Sequence, residues 1–163
     1  MKVFLPSIIV IILDQITKFW IKNNLELWSS IEIFGTFIRF SHVKNTGLAF
    51  GISVGSYKYL IVILSFVATL FILYTLWNDR KNHPLIVSSY SLILGGALGN
   101  LIDRSYLFFV NEYQGVVDFI DIGFGNNRWY TFNIADTAIT IGIFLYLIHS
   151  FLENKSKNIA NND

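Results

Sequence analysis

Residues 57–77 form an almost uninterrupted apolar run, with Lys58 near its start. A stretch of roughly 20 such residues is long enough to cross the hydrocarbon core of a bilayer as a helix. Lipid offers no hydrogen-bond partners, so the backbone must satisfy itself within the segment. Residues 85–104 and 134–152 repeat the pattern. Only 14% of the chain is charged, against about 25% in an ordinary soluble domain. These runs therefore predict membrane spans and leave little room for a soluble core.

The segment 3–22 is mixed: it is apolar through Leu13 and then carries Asp14, Gln15, Lys18 and Lys22. A cleaved signal peptide would place small residues after its apolar region, whereas here Asp14-Gln15-Ile16-Thr17-Lys18 follows. The expectation is a retained fourth transmembrane helix. The chain is read as a mainly α membrane protein, one integral-membrane domain over 1–163. It has a β-rich outer loop at 23–56, a mobile outer loop at 105–133 and a polar tail at 153–163. Arg80, Lys81, Lys155 and Lys157 fall on the side of the amino terminus, which by the distribution of basic residues puts both termini in the cytoplasm. Lys18, Lys22, Lys44 and Arg104 weaken that bias.

In the first outer loop, residues 31–41 are rich in β-branched and aromatic side chains with partial alternation, as expected of strands. Gly35-Thr36 is positioned to turn a hairpin and Lys44-Asn45-Thr46-Gly47 to make a second turn. A small sheet on the membrane surface is expected, and Trp20, Trp28, Trp77 and Trp129 fall where interfacial anchors belong. Gly95 and Gly99 have the small-xxx-small spacing that brings two helix backbones close.

There are no cysteines, which excludes thiolate metal sites and disulfides. His42, His83 and His149 are scattered, so no metal site is readable and no cofactor is expected. A net charge of +1 gives no sign of nucleic-acid binding. What stands out is a set of acidic and amide residues near the outer helix ends: Asp14, Asn100, Asp103, Arg104, Asp118, Asn133 and Asp136. Carboxylates at a bilayer edge are costly and usually functional. Two that converge can share one proton and activate a water.

Structural roles compete with catalysis at each position. Asp14 lies four residues before Lys18, a pairing distance on one helix face. Asp103 has Arg104 or a neighbouring helix as partner, and Asp121 is read as solvated. Asn133 and Asp136 have capping-box spacing, so spacing alone leaves cap and catalysis both open at Asp136. Asp118, framed by Val116, Val117 and Phe119, has no such explanation.

Five blocks, in order, carry a resemblance that covers essentially the whole chain. They are Asp14-Gln15-Ile16-Thr17-Lys18, Asn45-Thr46-Gly47-Leu48-Ala49-Phe50-Gly51, Gly95-Gly96-Ala97-Leu98-Gly99-Asn100-Leu101-Ile102-Asp103-Arg104, Val116-Val117-Asp118-Phe119 and Phe132-Asn133-Ile134-Ala135-Asp136-Thr137-Ala138. Together they resemble the bacterial lipoprotein signal peptidases (signal peptidase II). The resemblance implies a four-helix enzyme of the bacterial cytoplasmic (inner or plasma) membrane, with a β-cradle and active site on its outer face; a monomer is expected. Among membrane lipids it would act as an aspartyl endopeptidase on diacylglyceryl-modified prolipoproteins, cutting before the lipidated cysteine. It further implies Asp118 and Asp136 as catalytic residues. Asn45, Asn100, Arg104 and Asn133 would support substrate, and Asp14, Lys18 and Asp103 would be structural. Leu48 and Thr137 depart from the family's commoner alanine and serine without touching the chemistry. Two rivals remain on the residues alone: a proton relay through Asp14, Asp118 and Asp136, and a scaffold packed through Gly95 and Gly99.

Overall fold

The computed structural model describes residues 2–46, 58–108 and 115–160. Four helices carry the fold: α1 (Leu5–Asn24), α2 (Lys58–Asn78), α3 (Pro84–Ser105) and α4 (Ile134–Ala160). Each includes a stretch long and apolar enough to cross a membrane. Their bounds agree with the expected spans at most ends, but α4 runs through Ala160, so residues 153–160 of the expected polar tail continue the helix.

Punctuation in the sequence explains the ends. Pro6 and Pro84 sit in the first turns of α1 and α3, where a missing N–H costs nothing. His83 caps α3, its Nδ1 accepting from the Leu85 N–H at 3.3 Å. At the start of α4, Asn133 Oδ1 accepts from the Asp136 N–H at 2.9 Å. Asp136 Oδ2 returns the bond from the Asn133 N–H at 3.2 Å, which is the reciprocal cap that the spacing predicts.

Helix α3 is the hub, packing against α1, α2 and α4. Glycines make this possible. A Cβ on Gly95 would lie 2.8 Å from Val10 Cβ and 2.9 Å from the Ser7 backbone, and one on Gly99 would lie 2.7 Å from Asp14 Oδ2. Gly96 instead faces α4, where a Cβ would run into the Ala135 carbonyl. The expected close approach at Gly95 and Gly99 is therefore to α1. Outward, large apolar side chains such as Phe19, Phe71, Phe144 and Phe151 are exposed, as suits helices solvated by lipid.

A four-stranded antiparallel sheet stands at one end: β1 (Ser30–Phe34), β2 (Ile38–Asn45), β3 (Val116–Phe124) and β4 (Asn127–Arg128), in that order. The β1–β2 turn includes Gly35 at φ +50, as Gly35-Thr36 predicts. Two expectations need correction. Lys44 and Asn45 continue β2, paired with Val117 and Val116, so the second turn does not begin there; Gly47 through Phe50 lie outside the described residues. The segment 105–133, read as loop, contains β3 and β4, because β2 offers β3 a full edge. Residues 109–114 of that loop lie outside the described residues.

Asp121 is not merely solvated. The Arg128 Nε donates to its Oδ1 at 2.9 Å and Ser41 Oγ to its Oδ2 at 3.2 Å. The Arg128 guanidinium also bonds the carbonyls of Thr36 and Gly123, at 2.6 and 2.9 Å. The Asp121–Arg128 pair thus ties β2, β3, β4 and the β1–β2 turn together. Beneath, Ile21, Leu25, Val117 and Phe119 form a buried apolar cluster with Phe40, Ile120 and Ile134 packed on it. That cluster fixes β3 against the ends of α1 and α4.

Candidate active site

Asp118 reaches the bundle because β3 is covered on both faces at that point. Val116, Val117, Asp118 and Phe119 are all buried. Across the strand pair, Val43 opposes Asp118, and Asn45, two residues on, shares the face of Val43. The register of β2 slips between Phe40 and Val43, where Ser41 and His42 are buried. Such an irregularity re-aims the residues that follow, and here Asn45 Nδ2 donates to Asp118 Oδ2 at 3.1 Å.

Asp136 approaches from the first turn of α4. Its Oδ1 accepts from Asn100 Nδ2 at 2.8 Å. Asn133 joins the two aspartates: its Nδ2 donates to Asp118 Oδ1 at 2.7 Å, while its Oδ1 and N–H bond Asp136. Asn133 is wholly buried and Asn100 nearly so. The cap that the spacing predicts thus also links Asp136 to Asp118, through Asn133.

Burial pushes the Asp118 carboxyl up to about 7, and the adjacent Asp136 carboxylate adds to the rise. Hydrogen bonds from Asn45 and Asn133 and the charge of Lys18 oppose it. Burial wins because removing a carboxylate from water costs more than two neutral amide donors return. The outcome is a group that holds its proton near neutrality beside a second carboxyl.

Behind this pair lies a buried ionic cluster. Lys18 Nζ is 2.8 Å from Asp14 Oδ2 and 2.9 Å from Asp103 Oδ2, with Lys18 and Asp14 essentially inaccessible. Asp14 Oδ1 accepts from the Ala135 N–H at 3.0 Å, so it also serves the start of α4, where the helix dipole favours an anion. Asp103 pairs with Lys18 and, at 3.8 Å, with Lys22, not with its sequence neighbour Arg104. Gln15 Nε2 donates to the Gly99 carbonyl at 3.1 Å, fastening α1 to α3 beside the cluster.

A cavity of about 550 Å³ opens onto the aspartates, lined by Asn45, Asn100, Arg104, Asp118 and Asp136 on its polar side. Ile139, Ile141 and Ile143 of α4 form its apolar side, and Trp129 and Tyr130 also line it. Every candidate except Asp14, Lys18, Asp103 and Asn133 therefore faces this space. Trp129 and Tyr130 escaped the sequence reading as site residues. Trp129 carried only the signal of an interfacial aromatic, and that signal does not distinguish an anchor from a cavity wall.

Fold and site define a multi-pass membrane protein with a buried charged and amide cluster at the sheet end of its helices. The family model for signal peptidase (SPase) II matches residues 7–152, and the chain belongs to that family of proteases. The lipoprotein signal peptidase of Psychromonas ingrahamii is 38% identical over 154 residues, which are 93% of this chain and 85% of that one. That of Listeria welshimeri is 32% identical over 160 residues, covering 98% and 99%. A solved bacterial membrane enzyme shares the fold with TM-score 0.76 and 32% identity, over 96% of this chain and 90% of its own.

Proposed function

We propose that the chain is an aspartyl endopeptidase that removes the signal peptide from diacylglyceryl-modified prolipoproteins, cleaving before the lipidated cysteine. Asp118 and Asp136 are its catalytic residues. The observation that carries the reading is the double hold of Asn133, which bonds both carboxyls at the wall of one cavity. The names of its relatives supply the substrate class.

With one proton shared, the ionised carboxylate takes a proton from a water as its oxygen attacks the scissile carbonyl carbon. The neutral carboxyl gives its proton to the carbonyl oxygen, making a neutral tetrahedral diol. Collapse of the diol passes a proton to the amide nitrogen as the carbon–nitrogen bond breaks, releasing a carboxylic acid and an amine. The pair is left with one proton, as it began. Asn45, Asn100 and Arg104 line the space in which substrate backbone would lie. The isoleucines of α4 offer the substrate's lipid an apolar wall, and the enzyme works as a monomer in the cytoplasmic membrane with this end outward.

A relay would need carboxylates spaced through the membrane's depth. Asp14, Asp103, Asp118 and Asp136 are instead gathered through Lys18, Asn100 and Asn133, which favours local chemistry. The test is cleavage of a diacylglyceryl-modified prolipoprotein peptide in liposomes. Wild type is expected to cut before the lipidated cysteine. Asp118→Asn and Asp136→Asn are expected to stay folded and lose activity by roughly a thousandfold or more. Near-normal turnover by either folded variant removes that residue from the mechanism.

A further inference from the structure

Between β4 and α4 the chain runs as a short strip along β3, and its pairing falls out of step. The Trp129 N–H donates to the Ile122 carbonyl at 2.7 Å, while Phe132 and Ile120 exchange bonds at 2.7 and 3.1 Å. Trp129 and Phe132 are three residues apart, but their partners are two apart. Tyr130 and Thr131 therefore stand together opposite Asp121, a bulge with one residue too many for the ladder. Successive residues of a paired strand turn their backbone groups to opposite edges. Phe132 turns its N–H and carbonyl to β3, so Thr131 turns its own away. Among the described residues neither group of Thr131 has a hydrogen-bond partner, and the residue is only half-buried.

This unpaired edge lines the cavity that holds the aspartates, and it is fixed at both ends. The Phe132 carbonyl also accepts from the N–H of Phe119, the residue after Asp118, at 3.0 Å. Asn133, which bonds both aspartates, comes next. At the other end Arg128 is fastened to Asp121 and to the carbonyls of Thr36 and Gly123. A free donor and a free acceptor on one edge of a fixed extended strip match one residue of an extended peptide.

We propose that the backbone N–H and carbonyl of Thr131 pair with the substrate residue that follows the lipidated cysteine. The proposal rests on the peptidase reading above and names the part of the substrate held. Distance sets the residue: Thr131 lies two residues before Asn133, roughly 7 Å along an extended chain, and two substrate residues span the same length. Topology sets the side. Ile139, Ile141 and Ile143 line the cavity along the membrane-crossing part of α4, the wall offered to the lipid. The strip belongs to the sheet, on the way the mature chain takes to water.

The test uses diacylglyceryl peptides in which one of the first four amides after the cysteine is replaced by an ester. An ester lacks the N–H, and its carbonyl is a weaker acceptor. Each peptide is given to wild type, to Thr131→Ala, which keeps both backbone groups, and to Thr131→Pro, which removes the N–H. With wild type, an ester on either side of the residue after the cysteine is expected to lower kcat/KM about threefold to tenfold. The third and fourth esters should stay within about twofold, as should Thr131→Ala. Thr131→Pro should lose as much on the all-amide peptide. It should then feel the ester on the carbonyl side of that residue less than wild type does, because that bond is already missing.

First and second esters without effect, equal losses at all four, or losses that simply multiply in Thr131→Pro would each overturn the proposal. Should Thr131→Pro not fold, hydrogen exchange at the Thr131 amide of wild type decides in its place. A peptide whose scissile bond is reduced to a methylene-amine should slow it at least tenfold, and unchanged exchange overturns the pairing. Failure of the peptidase reading is distinguishable: there, wild type does not cut the all-amide peptide, or the folded aspartate variants do.

Discussion

The two ends of the helix bundle solve the same packing problem with different chemistry. Where α1 and α3 begin, the buried polar groups are serines: Ser7 Oγ donates to the Ser91 carbonyl at 2.7 Å, and Ser89 Oγ to the Gly142 carbonyl at 2.8 Å. These are neutral hydroxyls bonded to backbone carbonyls and to one another, Ser91 Oγ donating to the Val3 carbonyl at 2.7 Å. At the sheet end, charged residues are buried together and every one answers to several others. Lys18 serves three partners, and Asn133 bonds Asn100, Asp118 and Asp136. A bundle needs only the first kind of contact to hold together. The second kind costs desolvation and buys orientation, which is what a reacting group requires.

Paired glycine substitutions break the comparison most sharply. Gly95→Val drives a side chain into Val10 and the Ser7 backbone, and is expected to cost about 3 kcal/mol or more, read as a lowered Tm in detergent. Gly99→Ala presses instead on Asp14 Oδ2, a carboxylate already committed to Lys18 and the Ala135 N–H. It should cost about 1–3 kcal/mol and in addition lower kcat about tenfold, since Asp14 helps to seat α4. Equal activity per folded molecule in both variants would erase the distinction between the ends.

Protonation sharpens it further. The folded Asp118 carboxyl is raised from its ordinary value of 3.8 to about 7, so between these values the folded state holds more protons than the unfolded. Its contribution to stability is full below about pH 4, declines as pH rises to about 7 and is constant beyond. Activity that needs one shared proton should fall over the alkaline side of the same region. Asp118→Asn should flatten that part of the Tm-against-pH curve. The smallest effect is reserved for Ser7→Ala, expected to cost about 0.6 kcal/mol with kcat unchanged, measured by chemical denaturation beside a turnover assay.

The helices were legible because a bilayer demands long apolar runs, and the cap at Asn133 and Asp136 because its partners are local. β3 was not. In an ordinary surface strand alternate residues are polar, but Val116 through Phe119 are buried on both faces, and Asp118 breaks what would read as an apolar run. The Asp14–Lys18 pair could be read from its spacing. Its links to Asn100 and Asp103 could not, since 82 residues separate Lys18 from Asn100 and only the glycine-lined contact of α1 with α3 brings them together. Asp121 failed for a different reason: its partner Arg128 is only seven residues away, but across a strand turn that the composition disguised as loop.

The apolar wall of the cavity has a pharmacological consequence. Ile141 and Ile143 line the space, sit on a helix apolar enough to cross a membrane, and are each about half exposed. A greasy inhibitor therefore samples this site from the bilayer, and the concentration that matters is moles per mole of lipid, not moles per litre of buffer. Its apparent potency will fall when inert vesicles are added at fixed enzyme, while a water-soluble compound aimed at Asn45 and Arg104 will keep its value. Ranking compounds at a single lipid content would confuse partitioning with affinity.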